Sequence, residues 1–442
     1  MTLLRNPIRL VPTLFLIAIA IGTVLLSLPV ATADGTGAPF LTALFTATSA
    51  VAVTGLVVVD TGSYWSPFGQ IAILLMFQIG GLGIMTAATL FGLIAGRGFG
   101  LQDRIATQVE RGRLETRDAL SVLKLVFAIT IMVEAAIAIV LAIRMAVQYD
   151  MNWVAAAWHG LFHAVSAFNN AGFSTFSDSV MGYQSDPVIL VPIMLAVILT
   201  ALGFPVMQDL REHRFGWRRW SLHSKVTIAG TAALLAIGFT AILAMEWSNA
   251  ATLGPMGVGS KLLNAAFHSA MPRTAGFNSL DVGGFHDQTL MVNYLLMFIG
   301  GGSAGTAGGI KVTTFIVLFA IVLSEVLGRR DAGLFNRRFG SDVERQALTV
   351  TVLAASLVFA AATYIASVTA LSLQDILFEC ISAFATVGLS TGITADLPPS
   401  AQVVIVLLMF VGRVGTITVA TALAVGRQPR PYRYPKENLI VG

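Results

Sequence analysis

Asn169-Asn170-Ala171-Gly172-Phe173 closes an apolar stretch with a short polar segment built around one glycine. The arrangement occurs three more times, as Ala52-Val53-Thr54-Gly55-Leu56, Arg273-Thr274-Ala275-Gly276-Phe277 and Thr386-Val387-Gly388-Leu389-Ser390. A phenylalanine stands nine or ten residues before each glycine: Phe45, Phe162, Phe267 and Phe378. Packing glycines between helices would explain one such segment. Four in register instead predict a fourfold internal repeat whose polar hairpins converge on one axis, where backbone carbonyls can form an ion filter.

The composition is that of an integral membrane protein. Of 442 residues, 56% are hydrophobic and only 11% are charged, against about 25% charged in an average soluble domain. About 20 apolar residues suffice to cross the hydrocarbon core. Eight runs of that kind are present, at Leu10 to Val30, Pro67 to Ala95, Leu120 to Val147, Val188 to Met207, Val226 to Met245, Leu290 to Leu327, Ala347 to Leu371 and Val403 to Val425.

The basic residues predict the orientation in the membrane. Most of the 27 Lys and Arg residues lie at the two chain ends and in three linkers, around residues 97–124, 211–225 and 329–345. The positive-inside rule places these segments in the cytoplasm, so both termini of a multi-pass protein of the cell membrane are expected there. The opposite face is acidic and would concentrate cations; it carries Asp34, Asp60, Asp150, Asp178, Asp186, Asp281, Asp287 and Asp396.

A shorter apolar piece separates the two spanning runs of each repeat, such as Pro39 to Val53 or Trp153 to Phe168. Non-helical backbone at membrane depth is tolerated only when it is buried in protein or lines a watery cavity. Each piece therefore predicts a descending helix followed by an extended return. The expected fold is an all-α polytopic membrane protein with four helix–pore loop–helix repeats, that is eight transmembrane helices, in a pseudo-fourfold arrangement around one pore.

The four repeats are expected to divide the chain into units of similar size. The first covers residues 1–96, and the second covers 97–212 together with a preceding cytoplasmic linker. The third, 213–330, contains an intramembrane glycine-rich loop, and the fourth, 331–442, includes the C-terminal tail. The C-terminal ends of the descending helices would point partial negative charge at the centre, which favours cations over anions.

At this point the chain resembles the Trk/Ktr/HKT superfamily of potassium transporters. The likeness rests on the fourfold repeat, on Asn-Asn-Ala-Gly-Phe-Ser at 169–174, on Arg-Thr-Ala-Gly-Phe-Asn-Ser at 273–279, on the Gly300 to Lys311 loop and on the closing Tyr434 to Gly442. It is most similar to the KtrB-type membrane subunits, because the first repeat starts almost at residue 1. The resemblance implies K+ uptake, commonly aided by Na+, by a homodimer with one pore per subunit. A cytosolic nucleotide-binding ring of the KtrA/TrkA type would regulate it.

The resemblance also assigns the filter. Members that prefer sodium have a serine where this chain has Gly55, so four glycines favour potassium; one glycine per hairpin leaves discrimination against Na+ moderate. A Na+-permeable or poorly selective cation channel of the same architecture stays open, as does the choice between Na+ coupling and Na+ activation. The positions matched to the filter, which would bind K+, are Val53, Thr54, Gly55, Asn170, Ala171, Gly172, Thr274, Ala275, Gly276, Thr386, Val387 and Gly388.

Two features predict a gate. Arg413 lies midway along the last apolar run, where an arginine is costly unless it faces a watery cavity or a partner; it is either a positive obstacle in the pore or half of a buried pair with Glu134 or another acid. A glycine-rich break in the sixth run cannot hold a helix and is either a mobile gate loop or a passive kink. The loop positions are Gly300, Gly301, Gly302, Ser303, Ala304, Gly305, Thr306, Ala307, Gly308, Gly309 and Ile310, with Lys311 as a second pore-side cation.

Other classes of function find little support. Gly300-x-Gly302-x-x-Gly305 matches a dinucleotide fingerprint but lies between membrane helices instead of a strand and a helix. His159 and His163 are four residues apart, yet no third metal ligand accompanies them, and His163, His268 and Glu379 are expected to brace hairpins. The single cysteine, Cys380, excludes an internal disulfide. The sequence therefore predicts no enzyme, no covalent cofactor and no nucleic-acid partner, but contact with membrane lipids.

Overall fold

The computed structural model describes residues 7–96, 111–214, 216–303, 305–329 and 331–415. Within these ranges the chain is almost entirely helical, and its one sheet is a hairpin of Gly333–Leu334 with Arg337–Arg338. The helices are α1 (Pro7–Leu26), α2 (Phe40–Val51), α3 (Pro67–Gly96), α4 (Arg111–Gln148), α5 (Trp153–Asn169), α6 (Pro187–Leu202), α7 (Phe204–His213), α8 (Leu222–Glu246), α9 (Val258–Ala270), α10 (Asp287–Phe298), α11 (Val312–Val326), α12 (Ser341–Val368), α13 (Leu373–Ala385) and α14 (Pro399–Phe410). The expected all-α fold is confirmed.

Four short helices, α2, α5, α9 and α13, are the predicted descending pieces. They have 12, 17, 13 and 13 residues, fewer than the roughly 20 that a crossing needs. Each begins near the surface and ends in the interior: in α2, for example, Phe40 is 70% exposed whereas Phe45 is fully buried. The phenylalanine that recurs in the sequence is therefore the buried anchor of each descending helix.

The descending helices begin and end at residues suited to those positions. Asn152 caps α5 by accepting a hydrogen bond from Val154 N at 2.8 Å, and Ser372 caps α13 in the same way. At the other end, the backbone of Asn170 and Thr386 is left-handed, with φ of 58° and 50°. A residue in the left-handed conformation ends a helix, so in both repeats the chain turns into the return segment at this point.

Not all of the predicted spanning runs form straight helices. Segments Val126–Gln148, Leu222–Glu246 and Ser341–Val368 are each long and apolar enough to cross a membrane alone. The predicted run Val188 to Met207 instead bends by 94° between α6 and α7. Gly203 makes the bend with φ of 89°, a backbone angle that a side chain penalises.

The sixth and the eighth apolar runs are also interrupted. Between Phe298 and Val312 the chain is not helical, as the glycine content predicts. The final run, predicted from Val403 to Val425, is α14 followed by a π-helical turn at Val411–Gly415. Residues 416–425 and the Tyr434 to Gly442 motif lie outside the described residues, as do residues 97 and 330 at two of the three boundaries between repeats; all three boundaries stay predictions.

Close packing around the axis depends on α3. A methyl group on Gly80 would lie 2.1 Å from the carbonyl oxygen of Val51, and one on Gly81 would lie 2.1 Å from Asn169 Oδ1. These two glycines therefore let α3 touch the ends of both α2 and α5.

We expect Gly80→Ala to destabilise the protein by about 1–3 kcal/mol, because a methyl group there must displace backbone atoms in a packed interior. Gly83→Ala, on the same helix, is the matched control, since nothing lies within 4 Å of its added methyl group. Thermal unfolding of both variants in detergent, followed by tryptophan fluorescence, checks this. Equal unfolding temperatures for the two variants would contradict the proposed contact.

Candidate functional site

The four glycine hairpins meet in a closed ring. A methyl group built on Gly55 would lie 2.4 Å from the carbonyl oxygen of Ala171, in the next repeat. The same relation holds from Gly172 to Ala275 O at 2.6 Å, from Gly276 to Val387 O at 2.4 Å and from Gly388 back to Thr54 O at 2.2 Å. At the ring glycines each repeat therefore contacts the backbone of the next around one axis, and any side chain at a ring glycine would collide with a neighbouring carbonyl.

The backbone of each hairpin alternates in handedness. The four ring glycines have φ of 90°, 70°, 66° and 91°, and the residues two positions earlier, Val53, Asn170, Thr274 and Thr386, have φ of 57°, 58°, 104° and 50°. The residue between them has a negative φ in every repeat. Alternation of this kind turns successive carbonyls toward the same side of the chain, which is the geometry of a carbonyl-lined filter.

Serines six positions before the glycine hold three of the hairpins. Ser49 accepts from Thr54 N through its carbonyl at 2.7 Å and from Gly55 N through its hydroxyl at 3.1 Å; Ser382 does the same for Val387 N and Gly388 N at 2.9 and 3.1 Å. Ser166 accepts from Ala171 N at 2.8 Å and donates its hydroxyl to Phe173 O. The hairpin N–H groups thus turn back to their own helix.

The third hairpin reaches the ring differently. Ala270 stands where the other repeats have the serine, and α9 continues as a 3₁₀ turn, Met271–Arg273. A 3₁₀ helix rises about 2.0 Å per residue against about 1.5 Å in an α-helix. Three residues in this form gain about the length of one α-helical residue, which explains why Phe267 precedes its glycine by one position fewer than in the other repeats.

A cavity of about 350 Å³ opens at one end of the ring. All four ring glycines line this mouth cavity, and so do Asp60 and Asp178. Partial burial by itself raises the pKa of the Asp60 carboxyl, but hydrogen bonds from the Ser177 and Ser63 hydroxyls and from Gly62 N outweigh it and hold the pKa below its ordinary value. Of the eight aspartates predicted on this face, these two line the cavity, and ionised Asp60 favours cations there.

Side chains also brace the return segments. His163, fully buried on α5, donates Nδ1–H to His159 O at 2.7 Å and so accepts at Nε2 from Ser174 Oγ at 2.9 Å. His268 lies 3.3 Å from Asn293 Oδ1, and Glu379 accepts from Thr394. Among the described residues, no group of three His, Cys, Asp or Glu side chains could hold a metal ion.

The glycine-rich segment lies at the opposite end of the ring. A methyl group on Gly308 would lie 2.0 Å from Thr386 Oγ1, and one on Gly300 would lie 3.5 Å from Thr274 Cγ2. These contacts are with residues that precede the ring glycines, whereas the mouth cavity is lined mainly by residues that follow them. The loop therefore sits across the ring from the mouth cavity.

Backbone hydrogen bonds hold the loop in place. Gly300 N donates to Ile310 O at 2.8 Å and so closes the neck of the loop, and Gly302 N donates to Ala201 O at 2.6 Å. The bend at Gly203 leaves the last carbonyls of α6 without helical donors, and the loop packs on them. Apart from half-buried Ser303, the described loop residues from 300 to 310 are buried; Ala304 lies outside the described residues.

Three positively charged side chains donate hydrogen bonds to backbone carbonyls of this loop. Arg273 Nη2 donates to Gly300 O at 3.3 Å, Lys311 Nζ donates to Ala307 O and Arg413 Nη1 donates to Thr306 O. Arg273 and Arg413 are each 2% exposed, and Arg413 Nε and Nη2 have no hydrogen-bond partner among the described residues. The ion pairs among the described residues are Arg144–Asp186, Asp209–His213 and Asp331–Arg338, so the pairing of Arg413 with Glu134 is wrong.

The structure thus brings the four predicted hairpins together and places the glycine loop and Arg413 beside one another. Sequence reasoning missed the bracing serines and the role of Arg273. The recurrence of serine six residues before three of the four glycines was a usable signal. The contact of Arg273 with Gly300 joins residues far apart in the chain, and no sequence pattern indicated it.

Comparison with known proteins gives a consistent picture. The family model for TrkH, described as a cation transport protein, matches residues 11–430. The chain is 39% identical to the Ktr system potassium uptake protein B of Bacillus subtilis, over 97% of this chain and 95% of that protein. It is 36% identical to the potassium/sodium uptake protein NtpJ of Enterococcus hirae, over 99% and 97% of the two chains. The crystal structure of the potassium transporter TrkH from Vibrio parahaemolyticus shares its fold, with a TM-score of 0.71 at 19% identity, over 93% and 84% of the two chains.

We expect Ser177→Ala to raise the pKa of Asp60 toward its ordinary value, because the variant removes a 2.6 Å hydrogen bond to the ionised form. A carboxyl with a depressed pKa stabilises the fold above its unfolded-state pKa and loses that contribution as the pH falls through its folded value. The variant should therefore lose the contribution at higher pH than the parent. Carbon-13 NMR of labelled aspartate checks this, with Ser390→Ala, which lines the same cavity, as control; an unchanged Asp60 titration would refute it.

Proposed function

The chain belongs to the TrkH family of cation transport proteins, and from this premise we propose that it takes up K+ through a gated pore with the glycine ring as its selectivity filter. The membrane potential would drive the flow, since it supplies about 2.3 kcal/mol per charge per 100 mV. The transport needs no covalent step, no catalytic residue and no bound organic cofactor. Its substrate is the K+ ion.

The observation that supports this proposal is the closed contact from each ring glycine to the carbonyl of the next repeat. Backbone carbonyls can replace the hydration shell of a monovalent cation. The filter would consist of three consecutive residues in each hairpin, ending at Gly55, Gly172, Gly276 and Gly388. Each hairpin offers a short set of carbonyls, so moderate discrimination between K+ and Na+ is the corresponding expectation.

The gate in this proposal is the segment Gly300 to Lys311 together with Arg413. The loop lies against the C-terminal end of α13 and is held by the side chains of Arg273, Lys311 and Arg413. In this position it would obstruct the path of an ion that leaves the ring on this side. Electrostatic repulsion between Arg413 and a passing K+ would add to the obstruction. Withdrawal of the loop would need the hydrogen bonds to Ala201 O and Thr306 O to break.

The relatives' names support further parts of the proposal. A protein of a Ktr system acts with other components, so we infer a cytosolic nucleotide-binding ring of the KtrA/TrkA type as partner. The homodimer of this chain rests on the family resemblance, and the place in the cell membrane with both termini in the cytoplasm rests on the positions of the basic residues. The name of the Enterococcus hirae relative includes sodium. A Na+ dependence of K+ uptake, or permeation of Na+ through the same pore, is therefore the second candidate.

We expect Gly55→Ser to lower the ratio of K+ to Na+ flux in proteoliposomes by about tenfold, which corresponds to about 1.4 kcal/mol. The added side chain would lie 2.4 Å from Ala171 O and must shift the ring. Gly35→Ser is the matched control, because Gly35 also has a positive φ, 72°, but nothing lies within 4 Å of a Cβ atom added there. Unchanged flux and selectivity in Gly55→Ser would argue against the filter assignment.

The gate gives a second prediction. Arg413→Met should raise K+ flux in proteoliposomes that contain this chain without a cytosolic partner, since it removes both the charge and the hold on Thr306 O. Lys261→Met is the control, because Lys261 is also a largely buried cation that donates to a backbone carbonyl, Trp247 O at 2.6 Å, but lies away from the ring. A stable Arg413→Met protein with flux equal to or below that of the parent would contradict the gate.

A further inference from the structure

A second polar cluster lies inside the membrane-spanning region, behind the ring. It consists of Gln78 on α3, Glu134 on α4 and Asn169 on α5, where the first and second repeats meet. Glu134 is 8% exposed and Asn169 is fully buried, whereas Gln78 is partly exposed. The proposed function uses none of the three.

The buried carboxyl group of Glu134 has only long hydrogen bonds among the described residues to stabilise a negative charge. Its two oxygens accept from Gln78 Nε2 at 3.3 Å and from Asn169 Nδ2 at 3.4 Å, whereas hydrogen bonds to an ionised group are usually about 2.7–2.9 Å long. No ion pair involves Glu134 among the residues that the structure describes. The helix α3 has no charged residue in its sequence, and neither does α6; α5 contributes only His159 and His163, which are bonded elsewhere.

The cluster also contains more acceptors than donors can serve. Asn169 Nδ2 carries two hydrogens but lies within hydrogen-bonding distance of three acceptors: Gln78 Oε1 at 2.5 Å, Val165 O at 2.9 Å and Glu134 Oε1. Its other polar atom, Asn169 Oδ1, is buried and has no hydrogen-bond partner in the described part of the chain. An excess of oxygen around a single buried carboxyl group is the chemistry of a site for one positive charge.

From these observations we propose that Glu134, Gln78 and Asn169 bind one Na+ ion, distinct from the transported K+. A single carboxylate balances a single charge, which favours a monovalent over a divalent ion. Rotation of the two carboxamides by half a turn brings Gln78 Oε1 and Asn169 Oδ1 toward the carboxylate, as oxygen ligands for a hard cation. Partly exposed Gln78 marks the side from which the ion enters.

The site would act on the pore through Asn169. This residue ends α5, and the next residue, Asn170, is the left-handed residue at which the second hairpin leaves the helix. An ion that ties Asn169 to α3 and α4 would hold the second hairpin in its place in the ring. The site rests on the proposed function, and within it Na+ would promote K+ flow without itself crossing the ring.

The test uses the full chain in lipid nanodiscs, with NaCl exchanged for choline chloride at constant ionic strength. Na+ should raise the unfolding temperature of the parent protein along a saturable curve, and Glu134→Gln should abolish the shift. Gln78→Met is the second variant and should raise the half-saturating Na+ concentration about tenfold. Glu246→Gln is the control, because Glu246 is buried but already accepts from Thr252, Asn249, Thr289 and His286 N; it should keep the Na+ response.

Several outcomes would overturn the site. They are a rise in the unfolding temperature of Glu134→Gln with Na+ equal to that of the parent, a half-saturating Na+ concentration of Gln78→Met equal to that of the parent, and a parent protein that does not respond to Na+. A response to pH that is independent of Na+ would assign the carboxyl group to a proton instead. K+ flux is measured in parallel. Flux without any Na+ response refutes the site alone, whereas a parent protein that binds Na+ at Glu134 but carries no K+ refutes the proposed function alone.

Discussion

The structure depends on the need of every backbone polar group at membrane depth for a partner. In the return segments, the N–H groups and the carbonyl groups meet this need in different ways. The N–H groups of the hairpins bond to their own descending helices, at Ser49, Ser166, Met271 and Ser382. In the proposed filter the carbonyls would face the axis, where a cation can serve as their partner. The alternating backbone of the hairpins follows from this division.

Glycine is required in the ring because the hairpins touch each other through backbone. The neighbouring carbonyl lies between 2.2 and 2.6 Å from the position of a methyl group on each ring glycine. No side chain fits there in any of the four repeats, which explains why the only identity common to the four segments is this glycine. The neighbouring positions differ, and behind the ring they become polar in two repeats, as Asn169 and Arg273, and stay small in the others, as Ala52 and Ala385.

Backbone carbonyls also make the main polar contacts opposite the mouth cavity, but there their partners are side chains of the protein. The loop from Gly300 to Lys311 offers carbonyls at Gly300, Thr306 and Ala307 to three side-chain cations from different parts of the chain. A backbone carbonyl oxygen would thus face a mobile K+ ion in the proposed filter and a positively charged side chain in the proposed gate. Under the proposed function, competition between these two roles would give the pore a physical means of control.

The sequence by itself determined the class of the protein, the number of apolar runs, the four descending helices and the break before Lys311, because hydrophobicity and glycine content act locally. It did not determine the 94° bend at Gly203, since that run is uniformly apolar. Nor did it predict the partners of Arg413, Arg273 and Glu134. Those contacts join residues that are distant in the chain, and only the packing of the four repeats decides which buried polar groups meet.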